Sequence, residues 1–257
     1  MRAILIDWLV DVHLRFKLQP QTLFLTVNIL DRYLNKQQVK QEQLQLLGAS
    51  VLLIASKYEE IAYPETKDIE FITEGNCKAN EIKEMESKVL CSIEFKVTVV
   101  TPYSLLEVFI NKLKYLYDAR SGGLVLPPPW KNLTFLSQYI LELQVTEYKM
   151  LKYLPSVLTA GSLYLSWKMF KTIESKRRIL DWPQEMNIIT NHTEREIRDC
   201  AKDLYVIMKN AEHNSLQAIR RKYMSEQYAK ISLIKIPEDT KKIQARTITI
   251  CDFKVAR

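Results

Sequence analysis

Met1-Arg2-Ala3-Ile4-Leu5-Ile6-Asp7-Trp8-Leu9-Val10 is the stretch that decides the fold. At about 100° per residue, one side of a helix collects Met1, Ile4, Leu5 and Trp8, and the nearly opposite side collects Ile6, Leu9, Val10 and His13. A surface helix needs one apolar stripe, so a second stripe indicates either complete burial or an outer face that binds a partner. Unpaired charges are rarely buried, and Asp7 and Asp11 argue against complete burial. We therefore expect one face to hold the core and the other to be a docking surface.

Length and composition allow one large core or two domains of about 130 residues each. The chain has 257 residues, of which 47% are hydrophobic. The cysteines, Cys77, Cys91, Cys200 and Cys251, form no C-x-x-C pair, so we expect reduced thiols and neither a disulfide framework nor a zinc site. The longest apolar run, from about Leu44 to Ala55, is too short to span a membrane. We expect a soluble chain with no membrane partner.

The basic charge of the chain permits an acidic partner or nucleic acid but does not require one. The formal net charge is +7 and the pI is about 9.1. Short basic clusters occur only at Lys176-Arg177-Arg178 and at Arg220-Arg221-Lys222. A solvated basic face is the more common meaning of such clusters, so a nucleic-acid groove is the less favoured interpretation.

The apolar pattern of the first half predicts five helices. The first ends near Lys17, and Pro20 stands at a first-turn position of the second. The third runs from about Gln41 to Ile61. Its small residues, Gly48, Ala49, Ser50, Ala55 and Ser56, would let neighbouring helices approach closely, as a central helix requires. A short helix near Asp68 to Thr73 follows, and a fifth starts at a cap on Asn80 or a neighbour.

A second helical set follows a segment from Glu94 to Thr101, which we expect to be an extended linker because it is β-favouring and precedes Pro102. This set starts at Thr101-Pro102, and its further helices are expected at about 130–145, 155–170, 183–190, 193–211 and 215–223, with a loop from Ser121 to Pro129. Thr193 and Glu196 match a capping box. The fold class is therefore all-α, with two tandem five-helix units joined by a short linker. We place the units at 1–97 and 98–233, followed by a basic tail at 234–257 that we expect to be flexible.

The sequence contains no pattern typical of catalysis. Gly122-Gly123 has neither the spacing of a phosphate-binding loop nor a strand before it. His13, His192 and His213 lie far apart and outside any metal-ligand spacing, so each is read as a core or surface histidine. Adjacent carboxylates such as Glu59-Glu60 usually mark a solvated helix face. We predict no enzymatic activity, no cofactor and no metal.

Five motifs in order then resemble the cyclin box of A/B-type mitotic cyclins. They are Met1-Arg2-Ala3-Ile4-Leu5-Ile6-Asp7-Trp8, Leu30-Asp31-Arg32-Tyr33-Leu34, Leu44-Gln45-Leu46-Leu47-Gly48, Ala55-Ser56-Lys57-Tyr58-Glu59-Glu60 and Met85-Glu86. The second half is similar at Lys152-Tyr153-Leu154-Pro155-Ser156 and at Ala218-Ile219-Arg220-Arg221-Lys222-Tyr223. The resemblance implies two tandem cyclin folds and a regulatory subunit that activates a cyclin-dependent serine/threonine protein kinase in the nucleus and cytoplasm, at G2/M or S/G2.

The resemblance also implies which residues bind. Lys57 and Glu86 match the family's contacts near the mobile αC helix of the kinase. Further kinase-facing positions are matched by Tyr58, Glu59, Leu90 and Phe95. Arg2 and Asp31 match a family ion pair that is internal and ties the first helix to the second.

A second site implied by the resemblance is the hydrophobic patch that docks Arg-x-Leu motifs of substrates and inhibitors. It is matched by Met1, Ile4, Leu5, Trp8, Leu44 and Gln45. Asp11 stands for the acid that receives the motif's arginine, one methylene shorter than the usual glutamate. Gln41 stands where A-type cyclins tend to have arginine. Both departures concern the strength and the sequence preference of docking.

Two questions stay open at this level. A nucleic-acid or transcription module on the same fold is the alternative, motivated by the basic charge and tail. In addition, A/B-type cyclins have a further helix and a degradation signal before the first helix of the box, where this sequence starts. If that helix is truly missing, we expect a lower kinase affinity, because part of the interface goes with it.

Overall fold

A computed structural model of the chain describes residues 1–121, 130–173, 185–234 and 236. Within these residues the chain is helical and contains no strand, which confirms the all-α prediction. The helices are α1 (Arg2–Arg15), α2 (Pro20–Lys36), α3 (Leu44–Glu59), α4 (Thr66–Ile72), α5 (Ala79–Ser92), α6 (Pro102–Ser121), α7 (Trp130–Gln144), α8 (Pro155–Ile173), α9 (Glu185–Thr190), α10 (Glu194–Asn210) and α11 (Ala218–Tyr223). Short 3-10 turns lie at Gln41–Gln43, Tyr148–Lys152, Glu226–Tyr228 and Ile231–Leu233. No helix in this part of the chain has the length and apolar character needed to cross a bilayer.

The first half packs around α3, as the sequence predicts. Every residue of α3 from Leu47 to Ser56 is buried, and α3 contacts α1, α2, α4 and α5. The reason that α1 can approach so closely is Gly48, because a Cβ there would lie 2.8 Å from Cδ1 of Leu5. The small residues of α3 therefore set the distance between the helices of this bundle.

The second half repeats this arrangement around α8. Residues 158–167 of α8 are all buried, and the helix packs against α6, α7 and α10. Gly161 has the part that Gly48 has in the first half, since a Cβ there would lie 3.2 Å from Sγ of Cys200 on α10. Each half thus has one central helix with a glycine where a neighbouring helix packs against it.

Several predicted boundaries differ from the structure in detail. The N-cap of helix α5 is Lys78, two residues before Asn80, and its amide donates to the Glu81 carboxylate at 2.9 Å. The segment expected to be extended from Glu94 instead starts with a left-handed turn. Thr193 does cap α10 through a capping box with Glu196. The predicted loop at 122–129 and the predicted tail beyond Ile236 lie outside the described residues.

The Arg2 guanidinium joins the two halves. Its Nε and Nη2 donate to the two carboxylate oxygens of Asp31 on α2, at 2.5 and 2.7 Å, which confirms the predicted internal ion pair. Its Nη1 donates to the carbonyl oxygen of Val145, just after α7, at 2.8 Å. Bidentate pairs of this kind are directional as well as strong, so Arg2 fixes the start of α1 against both halves.

Helix α11 packs between α1 and α7. Lys222 and Glu142 of α7 are fully buried, and Nζ of Lys222 donates to both carboxylate oxygens at 2.7 and 2.8 Å. The hydroxyl of Tyr223 donates to the same carboxylate at 2.8 Å. With these bonds the buried carboxylate is hydrogen-bonded on both oxygens, which is the condition under which a charge can be kept in a core.

This arrangement corrects, for Lys222, the interpretation of Arg220-Arg221-Lys222 as a solvated basic face, because Lys222 is buried whereas Arg221 is exposed. Arg220 pairs with Glu212 at 3.5 Å, and Arg221 pairs with Asp11 at 2.9 Å. With Lys222 bonded to Glu142, each of the three cations has a carboxylate partner inside the chain. Lys222 therefore belongs to the core, and Arg220 and Arg221 are each paired with a carboxylate of the chain.

His13 lies on the buried face of α1, as a core histidine. Its Nε2 donates to the carbonyl oxygen of Gln19 at 2.9 Å, and its buried Nδ1 has no partner. Burial, together with the positive charge of Lys222, lowers the pKa of His13 to about 4. A proton on Nδ1 would have no acceptor there, so the folded chain holds this ring neutral.

We expect Lys222→Met to lower the free energy of unfolding by about 3 to 5 kcal/mol, because it leaves the Glu142 carboxylate buried without a cation. Adding Glu142→Gln should recover most of the loss, since the amide oxygen still accepts from Tyr223. Urea unfolding followed by far-UV circular dichroism measures both. Lys230→Met is the control, because it removes an exposed cation paired with Glu226. A loss in Lys222→Met no larger than in this control would contradict the assignment.

The pH dependence of stability should carry a contribution from His13. In the unfolded chain the ring takes up a proton near its ordinary pKa of 6.5, whereas in the folded chain it does so only near 4. Stability is therefore lost as the pH falls from 6.5 to 4, by about 3 kcal/mol in total at about 1.4 kcal/mol per pH unit. Urea unfolding of the wild type and of His13→Leu over this range isolates the contribution. Parallel curves for the two proteins would refute it.

Candidate functional site

The residues expected to face a kinase lie together at one end of the first half. We call them the α3/α5 surface, which comprises Lys57, Tyr58, Glu59, Glu86, Leu90 and Phe95. The first three form the last turn of α3, and the others belong to α5 and the turn that follows it. Because α3 and α5 pack against each other, residues some thirty positions apart share one surface.

The centre of the α3/α5 surface is an ion pair between its two helices. Nζ of Lys57 donates to Oε1 of Glu86 at 2.6 Å, with 38% and 14% of the two side chains exposed. The pair leaves two ammonium protons and the second carboxylate oxygen without a bond to this partner. It is thus held in place by the chain and still offers hydrogen bonds to another molecule.

Phe95 is held outward by the backbone at the end of α5. The amide of Glu94 donates to the carbonyl of Cys91 at 3.1 Å, and that of Phe95 donates to the carbonyl of Leu90 at 2.9 Å. This is a Schellman motif, in which glycine usually takes the left-handed position. Here Glu94 (φ 57°) and Phe95 (φ 54°) are both left-handed, a conformation that costs about 1 kcal/mol or more per residue.

Helix α2 supports this strained turn. Nη1 of Arg32 on α2 donates to the carbonyl of Lys96 at 2.8 Å, and Nζ of Lys36 donates to the carbonyl of Ser92 at 2.9 Å. Cations that bond the last carbonyls of a helix are a common way to satisfy its C-terminus. The sequence analysis did not single out Arg32 or Lys36 as supports, although their spacing of four residues on α2 places them on one face.

Exposed apolar side chains lie around the central ion pair, both on the α3/α5 surface and at the nearby Val100. Phe95 is 67% exposed, and the Tyr58 ring and Val100 are also exposed, while Glu59 and Leu90 are half-buried. The hydroxyls of Tyr58 and Thr98 are hydrogen-bonded at 2.5 Å, which fixes the ring against the linker. Large apolar side chains that are immobilised yet exposed are typical of protein-binding surfaces. Thr98 and Val100 were missed by the sequence analysis.

The second set of predicted residues lies where α1 meets the start of α3. We call it the α1/α3 patch, comprising Met1, Ile4, Leu5, Trp8, Asp11, Gln41, Leu44 and Gln45. Met1, Ile4, Asp11 and Gln41 are exposed, while Trp8, Leu44 and Gln45 are half-buried. Leu5 differs from the others, because it is buried on Gly48 and forms the floor beneath the patch. The opposite face of α1 is core, as predicted, with Ile6, Leu9 and Val10 fully buried.

One edge of the α1/α3 patch is acidic and touches α11. Oδ1 of Asp7 accepts a hydrogen bond from the amide of Ala218 at 3.0 Å, and burial raises the pKa of Asp7. The Asp11 carboxylate, expected to be free for a ligand's arginine, is paired with Arg221. These contacts span more than two hundred residues, and the helical periodicity of α1 contains no signal for them.

Both surfaces are suited to binding polypeptides. They offer apolar area, ion pairs and hydrogen-bonding groups, the ordinary components of protein interfaces. Among the residues that the structure describes, no three His, Cys, Asp or Glu side chains are grouped so as to hold a metal ion.

Comparison with known proteins identifies both halves. Residues 1–98 match the model of the cyclin N-terminal domain, and residues 100–237 match that of the cyclin C-terminal domain. The G2/mitotic-specific cyclin-B of Dictyostelium discoideum is 36% identical over 238 residues, which are 93% of this chain and 50% of that protein. Cyclin-A1-4 of Oryza sativa subsp. japonica is 35% identical over 228 residues, 89% of this chain and 60% of that protein. The chain thus spans about half to three-fifths of the length of these relatives.

A solved structure shares the fold. The viral cyclin from herpesvirus saimiri superposes with a TM-score of 0.61, covering 79% of this chain and 85% of that one, at 21% sequence identity. At this level of identity the likeness concerns the fold.

Proposed function

Because the chain belongs to the cyclin family, we propose that it is a non-catalytic regulatory subunit that binds and activates a cyclin-dependent serine/threonine protein kinase. Control of the cell cycle at G2/M or S/G2, in the nucleus and cytoplasm, is part of the proposal. A relative named as a G2/mitotic-specific cyclin supports that timing. The observation that carries the proposal is the Lys57 and Glu86 ion pair, set among exposed apolar side chains on the α3/α5 surface.

The mechanism follows from what a protein kinase needs. Its catalytic Lys and Glu pair forms only when the αC helix is swung inward. A rigid surface that binds only the inward state shifts the population toward it. Moving such an equilibrium from 1:99 to 99:1 requires about 5.5 kcal/mol of differential binding. An interface of about 2,000 Å² or more is the size at which obligate complexes form, and it can supply that difference.

The α3/α5 surface is preorganised for kinase binding in the free protein. Lys57 and Glu86 are already bonded to each other, and the Tyr58 ring is fixed through Thr98. Phe95 stands on a turn that α2 supports through Arg32 and Lys36. Side chains that are ordered in the free protein lose less entropy on binding, so more of the contact energy is available to hold the αC helix inward.

The direct test mixes the purified chain with a cyclin-dependent kinase and measures both co-elution and phosphorylation of histone. Activation should require a stable complex of the two proteins. A kinase that neither co-elutes nor gains activity would exclude the proposed function.

Replacing Lys57 and Glu86 together with alanine should abolish activation and leave helicity intact. The sharper variant is the exchange Lys57→Glu with Glu86→Lys, which keeps an ion pair but reverses the charges that a partner meets. We expect its unfolding free energy to stay within about 1 kcal/mol of wild type, because partly exposed pairs contribute little. Kinase stimulation, measured by histone phosphorylation, should still be lost.

The matched control is the exchange Lys230→Glu with Glu226→Lys, at an exposed pair outside the α3/α5 surface. It should leave stimulation unchanged. If the exchange at Lys57 and Glu86 activated the kinase as well as this control does, those residues would not be kinase contacts.

Substrate recruitment through the α1/α3 patch is a second part of the proposal. The patch would take the leucine of an Arg-x-Leu motif against Ile4, Trp8 and Leu44, and the arginine beside Asp11. Support comes from the exposure of Met1 and Ile4 on a helix whose opposite face is already buried. Apolar side chains exposed on one side of a well-packed helix are candidates for peptide binding.

Ile4→Ala is the cleaner probe of docking, because Ile4 is 58% exposed whereas Trp8 is half-buried against the core. We expect an affinity for a fluorescent Arg-x-Leu peptide about 5-fold to 30-fold lower, from roughly 1 to 2 kcal/mol of lost apolar burial. Stimulation of the kinase toward a substrate without the motif should not change. Trp8→Ala should likewise reduce docking and not basal activation, at some cost in stability.

Val108→Ala serves as the control, because Val108 is an exposed apolar residue on α6. Its peptide affinity should equal that of the wild type. Equal affinities for Ile4→Ala and wild type would remove Ile4 from the docking site.

A further inference from the structure

In the proposed docking mode, the Asp11 carboxylate binds the arginine of a ligand. In the structure this carboxylate is already paired with Arg221 of the chain itself. Nη2 of Arg221 lies 2.9 Å from Oδ2 and 3.2 Å from Oδ1 of Asp11. Both side chains are largely exposed, at 59% for Arg221 and 50% for Asp11. A ligand can therefore reach this pair from solvent.

The position of Arg221 follows from the seating of α11. The amide of Ala218 donates to Asp7, one turn before Asp11 on α1, and Arg221 lies one turn after Ala218 on α11. Residues three or four apart share a helix face. The Ala218–Asp7 and Arg221–Asp11 contacts therefore lie one turn apart on the same pair of helix faces. The hydrogen bond between Ala218 and Asp7 thus positions Arg221 beside Asp11.

The neighbouring cations of α11 have other partners. Arg220 pairs with Glu212, and Lys222 is buried on Glu142. Within the described part of the chain, Arg221 is the cation of this basic cluster whose carboxylate partner belongs to α1. Any effect of the cluster on the α1/α3 patch therefore acts through this residue.

We propose that Arg221 determines the specificity of the α1/α3 patch by competing with a ligand's arginine for Asp11. The inference rests on the proposed docking function and refines it. An exposed ion pair is worth a factor of about 1.5 to 5 in an equilibrium constant, so a ligand's arginine can displace Arg221 but gains less from Asp11 than it otherwise would. The patch then selects its ligands more by their apolar residue than by their arginine.

The test uses three fluorescent peptides that differ only in the motif, as Arg-x-Leu, Ala-x-Leu and Ala-x-Ala, with binding followed by anisotropy. The arginine preference is the Kd of the Ala-x-Leu peptide divided by that of the Arg-x-Leu peptide. For Arg221→Ala and Arg221→Gln we expect this preference to rise about 2-fold to 5-fold at low salt. The affinity for Ala-x-Leu should stay at the wild-type value.

Two further variants separate this effect from general charge. Lys230→Ala removes one positive charge and an exposed ion pair outside the patch, and it should leave the preference unchanged. Asp11→Asn should abolish the preference and also make it insensitive to Arg221→Ala. Unfolding midpoints near that of the wild type for all variants ensure that binding is compared between folded proteins.

An unchanged or lower preference in Arg221→Ala would overturn the inference, as would a rise of the same size in Lys230→Ala or in the Asp11→Asn background. If the leucine-containing peptides bind no better than Ala-x-Ala to the wild type and to Arg221→Ala, docking itself fails and the inference fails with it. Leucine-dependent binding without any effect of Arg221 would overturn only the inference.

Discussion

The buried bond between Lys222 and Glu142 is the interaction on which the rest of the structure depends. It anchors the last helix of the described fold, α11, on α7 and so places α11 against α1. A buried ion pair is costly to assemble and contributes little net stability compared with apolar packing. Its effect is to allow one geometry, because a shift of α11 would leave two charges in the core without partners. The position of α1 is therefore fixed by a contact in the other half of the molecule.

Helix α1 has three separate roles around its circumference. Its inner face, with Ile6, Leu9 and Val10, completes the first core, and Arg2 bonds to both halves. Its outer face leaves Met1 and Ile4 in solvent. Between the two faces runs the acidic edge of Asp7 and Asp11, which receives α11. A helix with apolar residues on two sides is thus explained by one core and one candidate binding surface.

The α3/α5 surface depends on the same principle of fixed helices. Helix α3 is central and buried from Leu47 to Ser56, so at this end of the bundle it reaches solvent with its last turn, at Lys57 and Tyr58. The left-handed turn after α5 then brings Phe95 to the same end of the bundle. Conformational strain in this turn is balanced by hydrogen bonds from α2, which is a common arrangement where an exposed side chain must be held in one position.

Local rules applied to the sequence were sufficient for much of this architecture. Apolar periodicity predicted the helices, Pro20 and Pro102 marked two helix starts, and the small residues of α3 identified the central helix. The resemblance of five ordered motifs to cyclins further predicted the ion pair between Arg2 and Asp31 and the residues of the α3/α5 surface and the α1/α3 patch. Tertiary structure alone decided the inward position of Leu5 on Gly48, the left-handed Glu94, and the pairing of Asp11 with Arg221. The physical reason is that periodicity reports which residues share a helix face, whereas the partner of that face depends on how distant helices pack.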